Sequence, residues 1–168
     1  MIAARFGPNG RIVDKTLNHS RFLGLLMHTL PAAKVIWLRR RPDECAQSIF
    51  KTYFAAPMPW SWSFSDIASY FRSEDLLYEH WLRVFPDRIL SIPYEDLAAD
   101  PATWIPRILN FVDLPDESQV YEPHKAKRTV TTASVAQVRA PISTSRIGLS
   151  AAYKEFTEEF RRAYYGQN

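Results

Sequence analysis

The sequence predicts an α/β protein in which a parallel β-sheet is flanked by helices. Two observations carry this prediction. The apolar segments Lys34–Arg39 and Arg88–Ile92 are continuous rather than alternating, and segments of helical periodicity stand between and after them. Continuous apolar runs are typical of strands buried on both faces, as in parallel sheets. With 168 residues the chain has the length of one domain, so we expect residues 1–168 to form a single domain.

The composition is that of a globular protein with a mild positive charge. Apolar residues make up 46% and charged residues 23% of the chain, which excludes a disordered or fibrous protein. The single cysteine, Cys45, forms no internal disulfide and no multi-cysteine zinc site, and we expect a cytoplasmic protein. No stretch approaches the ~20 apolar residues that span a bilayer, so no membrane partner is expected. The net charge of +3 permits an anionic small ligand and does not require nucleic acid.

The first third of the chain alternates strands and helices. Its predicted elements are a turn at 7–10, a strand at Arg11–Lys15, a helix at Arg21–Thr29, a strand at Lys34–Arg39 and a helix from Pro42 to about Phe54. Ser20 suits the N-cap of the first helix. Proline at the first position of the second helix is favourable, and the acidic residues that follow it favour a helix N-terminus.

The remainder continues the alternation. Its predicted elements are an aromatic loop at 57–62, a helix from Ser65 to about Phe85, a strand at Arg88–Ile92, a helix from Asp100–Pro101 to about Phe111, a long polar loop at 123–147 and a helix from about Ser150 to Tyr165. Pro106, inside one of these helices, predicts a kink or a displaced start. The long loop is expected to be functional or disordered, as long loops in small domains usually are.

Polar side chains follow three predicted strands where each strand ends, at Asp14–Thr16, Arg39–Arg41 and Tyr94–Asp96. Open parallel sheets bind ligands at the carboxyl ends of their strands. Arg40 precedes Ser48 by eight residues, which is two turns into the next helix. A guanidinium and a hydroxyl in this arrangement suit a phosphate group. A solvated basic run that covers the sheet edge is the alternative that these residues leave open.

These segments resemble the sulfotransferase family. Arg40–Ser48 resembles its 3′-phosphate-binding segment, Val13–Asn18 resembles a strand end of sequence Asp-Lys-Met-Pro-x-Asn, and Tyr94–Leu97 matches its Tyr-Glu-Asp-Leu. Arg128–Pro141 resembles the loop before the last helix in the bacterial and tyrosylprotein-type branches. The four segments occur in the family's order on the predicted elements, so the resemblance extends along nearly the whole chain.

The resemblance implies a P-loop-NTPase-like sulfotransferase fold and the transfer of a sulfuryl group from 3′-phosphoadenosine 5′-phosphosulfate (PAPS) to a hydroxyl or amine acceptor, without a metal. It assigns Arg40 and Ser48 to the 3′-phosphate and Tyr94 to the adenosine. Ser134 would approach the cosubstrate from the long loop. Lys15 would lie near the transferring sulfuryl group, where a fixed cation stabilises the charge that develops in the transition state.

The chain departs from the family pattern at its start and near its end. Relatives open with a strand and a loop like Arg/Lys-Ser-Gly-Thr-Thr, whose backbone N–H groups bind the 5′-phosphosulfate. That loop is not found here, so we expect the C-terminal two thirds of the family fold, truncated at the N-terminus. Leu149 and Ser150 stand where relatives carry a basic residue and Trp. A non-catalytic remnant or binding module, retaining only the 3′-phosphate and adenosine half of the site, is therefore the alternative function.

The remaining candidates carry less weight. His19 is a candidate base, although two residues intervene where cytosolic relatives have Lys-Thr-His. Trp60, Trp62 and Phe64 form a candidate wall for the acceptor, while Glu95 is expected to act in capping or an ion pair. A phosphate-transferring nucleotide enzyme is disfavoured, because it needs a Gly-rich loop with Lys-Ser/Thr and a carboxylate for Mg²⁺.

Overall fold

The helices and strands of the described residues follow the predicted order, except that the first predicted strand does not form and a short helix at Tyr94–Ala99 was not predicted. The computed structural model describes residues 11–54, 58–125 and 140–166. Its helices and strands are α1 (His19–Thr29), β1 (Val35–Arg39), α2 (Pro42–Phe50), α3 (Phe64–Val84), β2 (Ile89–Pro93), α4 (Tyr94–Ala99), α5 (Pro101–Phe111) and α6 (Glu158–Tyr165). Short 3₁₀ turns lie at Pro59–Trp62, Pro86–Arg88, Ser118–Tyr121, Pro123–Lys125 and Leu149–Tyr153.

Strands β1 and β2 pair in parallel, with Val35 opposite Ile89 and Arg39 opposite Pro93. The connection between them passes through α2 and α3, as a parallel pair requires. The predicted α/β class with a parallel sheet is therefore confirmed, but burial of β1 on both faces is wrong, because Ile36 and Leu38 are 44% and 52% exposed on one face. The register also brings the carboxyl ends of both strands to the same edge of the sheet, which we call the carboxyl edge.

The predicted strand at Arg11–Lys15 is wrong. Residues 11–16 have no regular secondary structure, and Val13 is 90% exposed. Only two apolar residues stand between charged ones here, which is too little to bury. Asp14 Oδ1 instead accepts a local hydrogen bond from the Thr16 hydroxyl at 2.7 Å, a contact that competes with strand pairing.

Two helix starts follow from capping. Ser63 Oγ accepts a hydrogen bond from Asp66 N–H at 3.0 Å, and an Asp100 carboxylate oxygen accepts one from Thr103 N–H at 3.1 Å. Each bond satisfies a donor that has no partner within its helix. Helix α3 accordingly starts one residue before the predicted position, and α5 starts where predicted.

Other helix boundaries differ from prediction. Ser20 lies inside α1 and is not its cap, because the helix begins at His19. Helix α2 ends four residues early, where the Thr52 hydroxyl donates to the Ser48 carbonyl at 2.7 Å. Helix α5 continues through Pro106, so the displaced start is wrong.

The last predicted helix, Ser150–Tyr165, is divided. A 3₁₀ turn at Leu149–Tyr153 precedes α6, and the buried Thr157 lies between them with its N–H directed at the carbonyls of Tyr153 and Lys154. Acidic side chains in the first turn of α6 favour a new helix N-terminus there. None of the helices in the described ranges combines the length and apolarity needed to cross a bilayer.

Two buried clusters hold the helices together and against the sheet. One joins α2, α3 and α6 through Ala46, Phe64, Ile67, Ala68 and Phe160. The other joins α1 to the start of β2 through Leu23, Met27 and Ile89. Trp81 of α3 also joins this helix to α1, because its indole Nε1 donates a hydrogen bond to the Ser20 carbonyl at 2.7 Å. The same ring lies so close to Gly24 that a Cβ there would stand 2.8 Å from it, so any larger residue would have to displace the indole.

Arg88 fixes the end of α1 at the start of β2. Its guanidinium donates to the carbonyls of Met27 at 3.1 Å, Leu30 at 2.8 Å and Ala33 at 3.0 Å. These carbonyls belong to the last turn of α1 and the loop after it, where no helical N–H is available. One side chain therefore satisfies three acceptors and sets the position of α1 relative to the sheet.

We predict that Arg88→Met lowers the free energy of unfolding by about 2–4 kcal/mol, because three backbone carbonyls lose their donor, those of Met27 and Ala33 in partly buried bonds. Arg83→Met is the matched control, since Arg83 is exposed in the last turn of α3. Urea denaturation followed by circular dichroism measures both variants. Equal losses in the two variants would show that Arg88 does not hold α1 in place.

Candidate functional site

The parallel pairing brings two of the predicted polar strand ends into contact. The Arg41 N–H donates to Glu95 Oε1 at 2.9 Å, which confirms a capping contact for Glu95. The Arg40 guanidinium lies over the Tyr94 ring, 4.9 Å from its centroid. We call the group formed by Arg40, Glu44, Ser48 and Tyr94 the strand-end site.

Arg40 is held by a buried carboxylate. Its Nε and Nη2 donate to Glu44 Oε2 at 3.2 and 2.9 Å, and Nη2 also donates to the Arg146 carbonyl at 2.7 Å. The Glu44 side chain is only 1% exposed, whereas that of Arg40 is 24% exposed. The guanidinium is thus fixed on one edge and open to solvent elsewhere.

Glu44 also fixes the turn at residues 146–148. Its second oxygen, Oε1, accepts a hydrogen bond from Gly148 N–H. Gly148 has φ +83°, a left-handed conformation that favours glycine. Sequence reasoning missed this contact. The spacing of Arg40 and Glu44, four residues apart, could have indicated an ion pair, but nothing in the sequence links either to Gly148.

Ser48 lies one turn beyond Glu44 on the same face of α2, because residues four apart in a helix are neighbours. Ser48 is exposed. The structure therefore brings Arg40 and Tyr94 into contact and puts Ser48 on the helix face that continues from Glu44. Ser134 lies outside the described residues, as do most of the loop residues that resemble the family.

The three arginines at the end of β1 differ in their surroundings. Arg39 Nη2 donates to Asp75 Oδ1 at 2.6 Å, and its guanidinium stacks over Tyr78, 4.3 Å from the ring centroid. Arg40 is paired as described, and Arg41 is exposed. The alternative interpretation, a solvated basic run that covers the sheet edge, therefore fits Arg41 and not Arg39 or Arg40.

No contact of the described residues brings Lys15 to the carboxyl edge. Four residues upstream, Arg11 donates to the Asp113 carbonyl at 3.4 Å, and Asp113 pairs with Lys34, which directly precedes β1 at the amino end of the strand. Lys15 itself is exposed, and no hydrogen bond or ion pair among the described residues joins it to Arg40. Its assignment to the transferring sulfuryl group therefore rests on the family resemblance.

The candidate base, His19, lies beside a carboxylate, with its Nε2 3.4 Å from Asp14 Oδ2. Trp60 stacks on Tyr70 with ring centroids 4.0 Å apart, and both line a cleft between α1 and α3. Phe64 is buried in the core, so it forms no part of an acceptor wall, whereas Trp62 is exposed.

The donors at the strand-end site suit a phosphate anion. Among the described residues, Arg40 Nε and Nη2 have acceptors and Nη1 has none. The exposed hydroxyl of Ser48 adds a donor on the neighbouring helix turn, and the Tyr94 ring offers an aromatic face beside the guanidinium. The Glu44 carboxylate offsets part of the positive charge, so binding would rest on directed hydrogen bonds as well as on net charge.

Two comparisons with known proteins bear on this site. The model of a family described as the sulfotransferase family matches residues 2–118, a range that includes Lys15, Arg40, Ser48 and Tyr94. An uncharacterized protein of Aquifex aeolicus (strain VF5) is 34% identical to the chain over 149 residues, which cover 87% of the chain and 20% of that protein. The chain thus spans about a fifth of the length of this relative.

The charges of the strand-end site affect the pKa of Cys45, which lies in the first half of α2. Burial raises the pKa of its thiol from the ordinary value of 9.0 to about 11, the Arg40 charge lowers it, and the Glu95 and Glu44 charges raise it. The folded state therefore holds the thiol proton more tightly than the unfolded chain. This contribution to stability is present below pH 9 and is lost as the pH rises through about 11.

We predict that Cys45, the only cysteine of the chain, reacts with iodoacetamide at pH 8 at least about tenfold more slowly in the folded protein than in urea, because little of the thiol is ionised. The folded rate should keep rising with pH up to about 11, whereas the unfolded rate levels off near pH 9. Mass spectrometry of the alkylated chain measures both rates. Identical pH profiles would contradict the raised thiol pKa.

Proposed function

Since this chain belongs to the sulfotransferase family, we propose that it binds PAPS at the strand-end site and takes part in sulfuryl transfer to a hydroxyl or amine acceptor. The observation that carries this proposal is the contact of Arg40 with Tyr94 at the carboxyl edge, with Ser48 along the adjoining helix face. Parallel sheets bind nucleotides at this edge, where strand ends and helix starts meet.

In the proposed complex the 3′-phosphate accepts hydrogen bonds from Arg40 Nη1 and the Ser48 hydroxyl. The Tyr94 ring, beside the Arg40 guanidinium, contacts the adenosine, and Ser134 approaches from the long loop. A guanidinium that is already fixed on one edge loses little conformational freedom when the phosphate binds, which favours affinity.

In the proposed transfer the acceptor oxygen or nitrogen forms a bond to sulfur while the bond from sulfur to the bridging phosphate oxygen breaks. The leaving adenosine 3′,5′-bisphosphate keeps the electron pair, and the acceptor loses its proton. Lys15, which the family resemblance assigns to the transferring sulfuryl group, stabilises the negative charge that develops on that group. His19, oriented by Asp14, is the proposed recipient of the acceptor proton.

A binding module without transfer is the second candidate. One observation favours it: Leu149 and Ser150 lie where the family resemblance leads one to expect a basic residue and Trp. Both candidates require binding of adenosine 3′,5′-bisphosphate. They differ in the release of labelled sulfate from PAPS, to water or to an acceptor, which only the enzyme accelerates.

We predict that Arg40→Ala weakens binding of adenosine 3′,5′-bisphosphate about 10–100-fold, because a charge-assisted hydrogen bond to the phosphate is lost. Ser48→Ala should weaken it about 2–10-fold, as a neutral donor contributes less. Isothermal titration calorimetry measures both. Arg107→Ala is the control, since Arg107 is exposed on α5 and stacks on Trp104. Equal affinities in the Arg40 and Arg107 variants would exclude the strand-end site as the nucleotide site.

We predict that Lys15→Met lowers the rate of sulfate release from PAPS about 10²–10³-fold while the affinity for adenosine 3′,5′-bisphosphate changes less than about threefold. The reason is that Lys15 is proposed to act on charge that develops only during transfer. Labelled sulfate and calorimetry supply the two readouts, and Lys125→Met, an exposed lysine paired with Glu122, is the control. A parallel loss of affinity and rate would assign Lys15 to nucleotide binding instead.

A further inference from the structure

We propose that Glu44 is a positioning residue for the nucleotide site: it fixes the Arg40 guanidinium and the turn at Arg146–Gly148 as one unit and directs Arg40 Nη1 toward the ligand. This inference rests on the proposed function, because it assigns Glu44 a role in selecting ligands that carry a 3′-phosphate. Glu44 itself touches no ligand, since its side chain is buried beneath Arg40.

Both oxygens of Glu44 accept hydrogen bonds from fixed donors. Oε2 accepts from Arg40 Nε and Nη2, and Oε1 accepts from Gly148 N–H. A carboxylate is the side-chain group that presents two acceptor oxygens without a hydrogen in this planar arrangement. Because neither oxygen is free and the side chain is buried, Glu44 is not available as a proton acceptor for a substrate.

The turn at 146–148 depends on the same contacts. Arg40 Nη2 donates to the Arg146 carbonyl, and Gly148, with φ +83°, directs its N–H at Glu44. The end of β1, the first half of α2 and the 3₁₀ turn that follows Gly148 are therefore joined through one buried carboxylate. Nε and Nη2 donate to Glu44 and the Arg146 carbonyl, so Nη1 is the nitrogen of the guanidinium that has no acceptor within the described ranges.

Charge alone would predict the opposite role. A carboxylate beside an anion site repels the anion, so its neutralisation should strengthen binding. The hydrogen-bond geometry instead indicates that Glu44 positions Arg40. In Glu44→Gln the side-chain amide has one acceptor oxygen and one NH₂ group in place of two acceptor oxygens. Either orientation of that amide directs an N–H donor at Arg40 or at Gly148, and the displaced partner loses its position. We therefore infer that neutralising Glu44 weakens anion binding more by disordering the Arg40 guanidinium than it strengthens binding by removing a negative charge.

The test compares Glu44→Gln with the wild type for two ligands, adenosine 3′,5′-bisphosphate and adenosine 5′-phosphate, by calorimetry. The preference for the bisphosphate should fall about tenfold, in the range that partners of metal-ligating side chains show when they are replaced. Affinity for the monophosphate should stay unchanged. Glu158→Gln is the matched control, because Glu158 forms an exposed pair with Arg162 at the same four-residue spacing. Thermal unfolding verifies that each variant is folded.

A second variant keeps the proposal testable if Glu44→Gln does not fold. Glu44→Asp retains the charge and shortens the side chain by one methylene, so it reaches Arg40 or Gly148 but not both, and the same fall in preference is expected. An unchanged or increased preference in a folded variant, with the preference abolished in Arg40→Ala, overturns the role of Glu44 and leaves the proposed function intact. Absence of any preference in the wild type overturns the proposed function and this role with it.

Discussion

The parallel register of β1 and β2 is the constraint on which the rest of the structure depends. It sets Arg39 opposite Pro93, so residues far apart in the chain leave the sheet at one edge. Arg40 then stacks on Tyr94, and Arg41 N–H bonds to Glu95, although neither contact involves the sheet's own hydrogen bonds. A shift of one residue in the pairing would turn the strand side chains to the other face and separate both contacts.

Charge at the carboxyl edge is arranged in pairs rather than as a uniform basic patch. Arg39 pairs with Asp75 and Arg40 with Glu44, and each guanidinium also lies over an aromatic ring. Paired and stacked arginines have few accessible orientations. They therefore bind an anion through N–H groups of fixed direction more than through long-range attraction by net positive charge. The proposed phosphate site therefore does not require a net charge above the +3 of this chain.

The sequence predicts those features whose cause is local. The parallel strand pair follows from continuous apolar runs, although one face of β1 stays exposed, and the start of α5 follows from Asp100. The start of α3 was predicted to within one residue. The strand predicted at 11–15 fails because the tendency of two apolar residues to pair is weaker than the local Asp14 contact. The link between Glu44 and Gly148 was not predictable, because it joins residues 104 positions apart and no spacing rule reports such a contact.

The same distinction explains why the candidate site was found in part. A strand-end arginine followed by a helix serine is a local pattern, and the pairing of β1 with β2 adds Tyr94 to it. What fixes the arginine is partly local and partly not: Glu44 follows it by four residues, whereas the Arg146 carbonyl and the Gly148 N–H come from the turn after the long loop. An arginine that is to bind a phosphate, as proposed, must be both charged and oriented. The charge and the first partner come from one short segment of sequence, but the complete orientation needs tertiary contacts that exist only after α2 and the 146–148 turn have packed together.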